Sequence, residues 1–390
     1  VYLRQIPNEP IVFYDDPNLY PVKEDGLIAY TWRTFLEGKE GPEVLLRFPM
    51  VKAAIRAMDM ASEYVQLFEK RPGPLTKWCV GGGSKRAWTS WITAAADPDR
   101  VKCIVPLVDD MVDVHKVMHH HYQSLGGWTY SFWEYWSRDI MKYLDTDRFK
   151  EMCSYMDPFY YKDILKDIPK SVISGSGDFL FLIDDAFAWW DDIWMENSYL
   201  RILPNVMHDA GGHAKYTNQV AMAFIALQQA MVLDEKMPEM KWEIDRENHM
   251  IKACTNQEVY KAVIFQGVSE SPLGRDFRLL RIADNAEVPP SPNAPHYDDL
   301  VPPLKDQPDD QKQNIDIFKM KRICHYNQTF PVDGPRPNIK CDDISVTHNP
   351  EANNQYCFEY GPIEPSPSGN YSATYMELNW AMQPNNRHFT

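Results

Sequence analysis

Two patterns of apolar and polar positions divide the chain near residue 236. Before this point, short apolar runs alternate with segments whose apolar residues recur every three or four positions. Such alternation is typical of strands and helices in turn, and it predicts an α/β layer with a mostly parallel sheet. Beyond this point the apolar residues follow a period of two, which predicts a β-rich, sandwich-like region. We therefore predict an α/β domain over residues 1–236 and a β-rich domain over residues 237–390.

The elements of the first domain can be delimited from the same pattern. Strands are predicted at VYLRQI, TKWCV, VKCIVPLVD, KSVISGSGD and SYLRILP, and helices at EDGLIAYTWRTFLEG, FPMVKAAIRAMDMASEYVQLFEK, SKRAWTSWITAAAD, IDDAFAWWDDI and KYTNQVAMAFIALQQAMV. Gly38 is placed to end the first of these helices. Residues 111–168 interrupt the alternation with a helical, aromatic-rich insert, which we interpret as a cap over the sheet. Because the chain opens in an apolar, strand-like run, we expect that earlier strands are missing from it, and that a missing N-terminal segment or another chain associates with it.

The second domain is predicted from alternating segments and one segment of different composition. The strands are expected at KWEIDRENHMIKACTN, YKAVIFQGV, RDFRLLRIAD and YSATYMELNW. Residues 285–312 are rich in proline and acidic residues, a composition that is too polar to pack into a core. This segment is therefore predicted to be a long loop.

The strongest chemical signal lies where a predicted strand runs into a predicted helix. Gly82 and Gly83 precede Ser84 there, which resembles a nucleophile elbow, a sharp turn that exposes a reactive serine. The usual pattern G-x-S-x-G has glycine two residues after the serine, where this chain has Arg86. Ser84 is accordingly the candidate nucleophile, and Arg86 is interpreted either as a plain helix residue or as an anchor for an acid of the cap or of a substrate.

The same turn predicts where an oxyanion would be held. The helix after Ser84 directs its free N-terminal N–H groups towards the serine, so the N–H of Lys85 is one candidate donor. The second donor is expected from the loop after an early strand. That loop reads PNEP, which makes the N–H of Asn8 or Glu9 the second candidate.

An acid and a base follow in the chain order of an α/β-hydrolase triad. Asp178 ends a strand of small residues, and Asp184 and Asp185 come in the next turn as alternative acids. His208 follows the last strand of the alternating region, and His213 is its competitor. Ser84, Asp178 and His208 are therefore predicted to be nucleophile, orienting acid and general base, on an α/β-hydrolase core.

No cofactor or metal site is predicted. The run His119–His121 points in three directions if it is helical, and no carboxylate or cysteine stands near it at ligand spacing. The aromatic stripe of the insert is expected to form cap core, with some of its members facing a substrate as the minority interpretation. The stripe consists of Trp128, Phe132, Trp133, Tyr135 and Trp136.

Charge and cysteine usage restrict the partners and the compartment. The formal net charge of −15 excludes a nucleic-acid binder, which needs clustered Lys and Arg. No apolar run of about 18 residues is present to span a membrane. Sequons at Asn327 and Asn370 predict glycosylation, and together with Cys324, Cys341 and Cys357 they favour an oxidising, secretory setting.

The remaining cysteines allow one specific pairing. Cys79 and Cys103 fall on neighbouring predicted strands, so a disulfide between them and two buried thiols are both consistent with the sequence. The cysteine count is seven, which leaves at least one unpaired within the chain.

Several blocks resemble the PhoPQ-activated pathogenicity-related protein family. They are IPNEPIVF, EDGLIAYTW, LLRFPMVKAAIRAMD, GGGSKRAWTSWITAAADPDRVKCIVPLVDD, MDPFYYKDIL, IPKSVISGSGDFLFLIDDAFAWW and LRILPNVMH. The resemblance implies an α/β-hydrolase fold, a secreted or exported protein, and a triad at the positions of Ser84, Asp178 and His208. It also implies that arginine at position 86 is a family feature. The chain departs from the family just after Asp178, where relatives carry a polar residue.

Two interpretations of the function are therefore open. One is a secreted serine hydrolase acting on an ester or amide, such as a small molecule or a short peptide. The other is a non-catalytic extracellular signalling or structural protein that uses the same scaffold to bind a protein partner.

Overall fold

The computed structural model describes residues 1–16, 20–125, 127–193, 198–204, 206–208, 214–259, 261–269, 275, 321–327, 344–350, 355–363, 371–382 and 387–389. Two compact units are present. The first includes Val1–Lys170 and Phe179–Met195, and the second includes Ser171–Asp178, Glu196–Leu279 and Asp309–Thr390. The predicted boundary after residue 236 remains a prediction, as does the loop at 285–312, which lies outside the described residues. No helix in the described part of the chain is long and apolar enough to cross a membrane.

The described helices and strands follow the alternation up to about residue 233. The helices are α1 (Glu24–Leu36), α2 (Arg47–Leu67), α3 (Lys85–Ala96), α4 (Val114–Leu125), α5 (Trp133–Trp136), α6 (Asp147–Met156), α7 (Lys162–Leu165), α8 (Trp190–Ile193) and α9 (Ala214–Leu233). The strands of this region are β1 (Ile11–Val12), β2 (Pro21–Val22), β3 (Trp78–Gly83), β4 (Val101–Leu107), β5 (Lys170–Gly175) and β6 (Ser198–Leu203). The prediction of an α/β region is confirmed.

The first unit is built on a parallel strand pair covered by helices. β3 and β4 pair in parallel, with Cys79 opposite Cys103. The N–H of Ile104 in β4 donates to the carbonyl of Pro169 (3.0 Å), the residue before β5. α3 packs on both β3 and β4. Its Trp91 is fully buried, so this small-residue helix lies close to the pair, as its sequence predicts.

The predicted cap region forms helices around an aromatic cluster. Residues 111–168 contain α4 to α7 and three short 3-10 helices. The ring of Trp32 in α1 contacts Trp88, Tyr135 and Phe149, with centroids 5.3 to 6.0 Å apart. Replacing a fully buried aromatic ring of this kind by alanine costs about 3–5 kcal/mol. The cluster therefore ties the insert to α1 and α3 within the first unit.

Among the described residues one predicted strand is absent, while the predicted strand RDFRLLRIAD lies outside them beyond its first residue. Residues 1–6 form no strand, and the side chains of Val1 and Tyr2 are 88% and 86% exposed. An apolar run becomes a strand only when a neighbour pairs with its backbone, and Pro7 and Pro10 limit the donors of the adjoining segment. The prediction of a core strand over VYLRQI is therefore wrong for this structure. Gly38, by contrast, follows α1 with φ +71°, which confirms it as the helix stop.

The second unit carries the β-rich region. Its strands are β7 (Met240–Asp245), β8 (Met250–Thr255), β9 (Lys261–Val268), β10 (Lys321–Asn327), β11 (Ile344–Asn349), β12 (Gln355–Tyr360), β13 (Ser372–Met382) and β14 (Arg387–Phe389). They form two four-stranded antiparallel sheets, ordered β10-β9-β13-β14 and β11-β12-β8-β7. A disulfide joins Cys254 in β8 to Cys357 in β12, which face each other in register. The predicted antiparallel, β-rich character is confirmed.

Candidate functional site

Ser84 occupies a strained turn between β3 and α3. Its backbone has φ +52° and ψ −126°, a conformation that side-chain-bearing residues rarely adopt and that costs about 1–3 kcal/mol. Its N–H donates to the carbonyl of Leu107 in β4 (2.8 Å), and its carbonyl accepts from the N–H groups of Ala87 (2.7 Å) and Trp88 (3.1 Å). The turn is thus held from the strand side and the helix side, in the manner of a nucleophile elbow.

The close approach of strand and helix at this turn explains Gly82, two residues before Ser84. A Cβ atom on Gly82 would lie 2.8 Å from the backbone carbon and oxygen of Arg86, so any larger residue would push α3 away. The contact involves the backbone of Arg86, while its side chain is partly exposed (41%). A small residue is therefore required at position 82, and arginine is compatible with position 86.

Lys85 and Arg86 join an ion network with two carboxylates. The buried Lys85 Nζ lies 2.6 Å from Glu24 Oε2 and 3.3 Å from Glu9 Oε2. Arg86 donates to both carboxylate oxygens of Glu24, at 3.1 and 3.2 Å. Although burial raises the pKa of Glu24, hydrogen bonds with Glu9, Arg86 and Lys85 outweigh it and lower the pKa to about 2. Both cations therefore have carboxylate partners from the chain itself.

The network places one of the candidate oxyanion loops beside the start of α3. Glu9 accepts from Lys85 Nζ and also from the N–H of Glu24 (2.8 Å). Lys85 is the first residue of α3, where the N–H has no acceptor within the helix. Asn8 is adjacent and exposed. Glu9 and Lys85 are thus brought together, and the use of their N–H groups, or that of Asn8, remains a prediction.

A small pocket adjoins Ser84 and Lys85 in the first unit. Its volume is about 20 Å³, close to the space that one water molecule needs. The other lining residues are Asp25, Ile28, Arg47, Trp88, Asp109, Met111, Phe132, Tyr135, Leu180 and Phe181. The pocket is therefore largely apolar, with charged groups at its wall.

Arg47 stabilises the first turn of α3 through its side chain. Its Nη1 donates to the carbonyl of Lys85 (2.6 Å), and its guanidinium lies 4.2 Å from the centroid of the Trp88 ring. Burial lowers the pKa of Arg47 to about 10, so the side chain stays charged at neutral pH. This buried cation was missed by sequence reasoning, because nothing in its sequence neighbourhood distinguishes it from a surface helix residue.

Asp178 and His208 form a hydrogen-bonded pair in the second unit. His208 Nδ1 lies 2.9 Å from Oδ2 and 3.2 Å from Oδ1 of Asp178. The Asp178 side chain is 1% exposed and that of His208 is 15% exposed. A buried carboxylate at Nδ1 fixes the ring orientation of the histidine. This is the arrangement expected of an acid–base pair.

Gly175 allows the loop that bears His208 to approach the end of β5. A Cβ atom there would lie 2.3 Å from the carbonyl oxygen of Val206. The same carbonyl accepts from the N–H of Gly177 (3.0 Å), and the N–H of Ser176 donates to Leu203 (2.9 Å). The segments that carry the acid and the base are thus bonded backbone to backbone.

The alternative acids pair with a different histidine. Asp185 is buried, accepts from the N–H of Leu182 (2.7 Å), and lies 2.8 Å from His120 Nδ1. Burial raises the pKa of Asp185 to about 6. Asp184 lies 3.7 Å from His120 Nε2. His213, the competing base, lies outside the described residues.

The three consecutive histidines have three separate surroundings. His119 Nε2 lies 2.8 Å from Asp145, His120 contacts Asp185, and the buried His121 lies 3.2 Å from Thr129 Oγ1. Burial lowers the pKa of His121 to about 3, so it is neutral. The sequence placed no carboxylate near this run, whereas the fold brings three to it: Asp145, 26 residues after His119, and the more distant Asp184 and Asp185.

The cysteines of the described residues form two disulfides. Cys79 and Cys103 are bonded across β3 and β4, in addition to the Cys254–Cys357 bond. Cys153 is buried and reduced, and burial raises the pKa of its thiol. Asn327 is the last residue of β10, while Asn370 and Cys341 lie outside the described residues.

The amino-acid sequence of the chain is similar to a known family and to a known protein. The profile of the family described as PhoPQ-activated pathogenicity-related protein matches residues 1–278. Autocrine proliferation repressor protein A of Dictyostelium discoideum is 31% identical over 293 residues, covering 73% of this chain and 57% of that protein. The chain thus spans less than two thirds of this relative's length.

Solved structures resemble the chain more distantly. An acetyl xylan esterase from Paenibacillus sp. R4 is 14% identical, with 48% of this chain and 54% of that chain covered and a TM-score of 0.34. MGS-M2, an alpha/beta hydrolase enzyme from a Medee basin deep-sea metagenome library, is also 14% identical, with 46% and 72% covered and a TM-score of 0.29.

Proposed function

The chain belongs to the PhoPQ-activated pathogenicity-related protein family, and from that premise we propose that it is a serine hydrolase of the α/β-hydrolase type. The observation that carries the proposal is the backbone of Ser84, a serine at φ +52° on the wall of a pocket. A serine in this conformation at a strand-to-helix turn is the hallmark of an exposed nucleophile. The substrate class is an ester or amide, including short peptide amides.

Each residue has a defined role in the proposed reaction. Ser84 Oγ attacks the carbonyl carbon while His208 Nε2 accepts its proton. Asp178 orients the ring through Nδ1 and stabilises the imidazolium that forms. The alcohol or amine leaves with the proton from His208, and water, deprotonated by the same ring, then releases the acyl group from Ser84.

The developing negative charge requires donors that are in place before the reaction. The N–H of Lys85 is one proposed donor, and the N–H of Asn8 or Glu9 is the second. The ion network supports this assignment, because Glu9 accepts from Lys85 Nζ (3.3 Å) and so holds the loop near the start of α3. Loss of one such donor typically costs a factor of about 100–1,000 in rate.

A fluorophosphonate probe tests the nucleophile. Labelling of the wild type and loss of labelling in Ser84→Ala is the expected result, together with a fall in turnover of small esters by several orders of magnitude. Ser154→Ala is a matched control, because this serine of α6 donates only to the nearby carbonyl of Glu151 (2.6 Å) on the exposed surface. Absence of labelling in correctly folded wild type refutes the proposal.

A second candidate function is a non-catalytic extracellular protein that binds a partner. The small volume of the pocket beside Ser84, about 20 Å³, supports this second function. The relative named autocrine proliferation repressor protein A supports a signalling role of this kind. If a biological effect of the protein survives Ser84→Ala unchanged, the effect is independent of hydrolysis and this second function is favoured.

We further propose that the protein acts outside the cytosol. The two disulfides of the described residues are of a kind that forms and persists in oxidising compartments. The sequons at Asn327 and Asn370 are proposed glycosylation sites. A mass shift on treatment with an N-glycosidase, in protein recovered from the medium of its native cells, tests both statements.

A further inference from the structure

Two histidines of α4 lie one helical turn apart on the same face. His115 and His119 are four residues apart, so their side chains project side by side. Their ring centroids are 4.6 Å apart. The Nε2 atom of each ring approaches the same oxygen, Oδ1 of Asp145, at 3.0 Å for His115 and 2.8 Å for His119. Three possible ligand atoms therefore lie within 4.8 Å of one another.

Asp145 comes from a separate element of the same unit. It stands just before Thr146, the N-cap residue of α6, whose side chain accepts from the N–H of Phe149. This cap fixes the backbone from which the carboxylate projects. The side chains of His115, His119 and Asp145 are 40%, 36% and 74% exposed, so an ion from solution reaches them without any opening of the fold.

We propose that His115, His119 and Asp145 bind a divalent transition-metal ion, with zinc as the preferred ion. Tetrahedral ligands at about 2.0–2.1 Å from zinc lie roughly 3.3 Å apart. The two contacts with Asp145, at 2.8 and 3.0 Å, need to lengthen by a few tenths of an ångström, and the two Nε2 atoms, which lie within 4.8 Å of each other, adjust to the same spacing through rotation of their partly exposed side chains. Two imidazoles and one carboxylate select zinc, nickel or copper over magnesium and calcium, which prefer oxygen ligands.

The ion would link two parts of the aromatic-rich insert. α4 and the turn before α6 are separated by about 20 residues of chain, and the metal would add a direct bond between them. Three protein ligands leave a fourth position for water or for a group from another molecule. The formal net charge of −15 also favours the approach of cations. The site is independent of the serine chemistry proposed above.

Titration of the metal-free full chain with zinc tests the site. Calorimetry on chelator-treated protein is expected to give one ion per chain with micromolar or tighter affinity. His115→Asn and His119→Asn should each weaken binding about 10–100-fold or more, because even partners of metal ligands contribute that much. Cobalt(II) should give the intense visible absorption of a four-coordinate ion in the wild type and lose it in both variants.

Matched controls keep the result specific. Asp147→Asn removes an exposed carboxylate two residues from Asp145 that pairs only with Lys150 (3.7 Å) among the described side chains. His348→Gln removes an exposed histidine of β11. Both controls should bind zinc as the wild type does, and circular dichroism of each metal-free variant should match the wild type. Equal zinc affinity in wild type and in the His115→Asn, His119→Asn double variant overturns the proposal, as does binding seen only at millimolar zinc.

Discussion

Replacement of Gly175 by alanine should separate the acid from the base. The new Cβ atom would lie 2.3 Å from the carbonyl oxygen of Val206, whereas real Cβ atoms stay at least 3.0 Å from such an atom. The loop must therefore move by about 0.7 Å or more. That shift stretches the 3.0 Å bond from Gly177 to the same carbonyl beyond hydrogen-bonding distance. His208, two residues after Val206, moves with the loop.

The cost follows from three contributions. Overpacking costs about 1–3 kcal/mol, and the stretched hydrogen bond about 1 kcal/mol. Alanine offsets about 0.4–1 kcal/mol of this loss, because it reduces the conformational freedom of the unfolded chain. The expected net loss of unfolding free energy is about 1–3 kcal/mol. A displacement of this size also slows reactions that depend on exact geometry by roughly a factor of 100.

Urea denaturation and probe labelling measure the two effects. Gly83→Ala is the matched control, since a Cβ atom there meets nothing within 4 Å. Gly175→Ala should lower the urea midpoint relative to Gly83→Ala and slow the fluorophosphonate reaction. If both variants have the same free energy of unfolding within about 0.5 kcal/mol, the close approach of β5 to the His208 loop plays no structural role, and the reasoning fails.

Two other predictions concern buried and networked charges. Burial lowers the pKa of Lys170 to about 7, and its Nζ donates to the carbonyl of Ile193 (3.1 Å). The unfolded chain binds more protons than the native one between pH 7 and the ordinary lysine value, so the unfolding free energy should rise with pH in this window. Lys170→Met should flatten that rise and stabilise the protein at pH 7, as calorimetry at several pH values will show; an unchanged slope contradicts it. Arg86→Gly recreates the pattern G-x-S-x-G, yet it should destabilise the protein by about 1–2 kcal/mol, because it removes the contacts with Glu24 and places glycine in a helix. A gain in thermal stability would show that the network does not hold the turn.

Local signals in the sequence predicted most of the first unit. A helix with apolar residues at regular spacing, such as α2, has the predicted type because burial of one face determines it. The turn at Ser84 was predictable because only small residues fit where a strand runs directly into a helix. Residues 1–6 were mispredicted because an apolar run does not reveal whether a partner strand exists.

Contacts between distant residues could not be predicted from the sequence. Asp145 reaches His115 and His119, and Asp185 reaches His120, only after the insert folds. The ion network of Lys85 depends likewise on Glu9 and Glu24, which lie more than 60 residues earlier. Each of these pairs joins elements whose relative placement is decided by the packing of apolar residues. The sequence around a polar residue does not indicate which distant residue it will contact.

The positive φ angle of Ser84 also has an evolutionary consequence. Glycine adopts this conformation without strain, whereas serine pays about 1–3 kcal/mol for it, a large part of the stability of an ordinary protein. A lineage that no longer used the hydroxyl would gain stability from glycine at this position, and a single nucleotide change converts the serine codons AGU and AGC to glycine codons. The presence of serine at a position that favours glycine is what the proposed nucleophile role of its hydroxyl predicts.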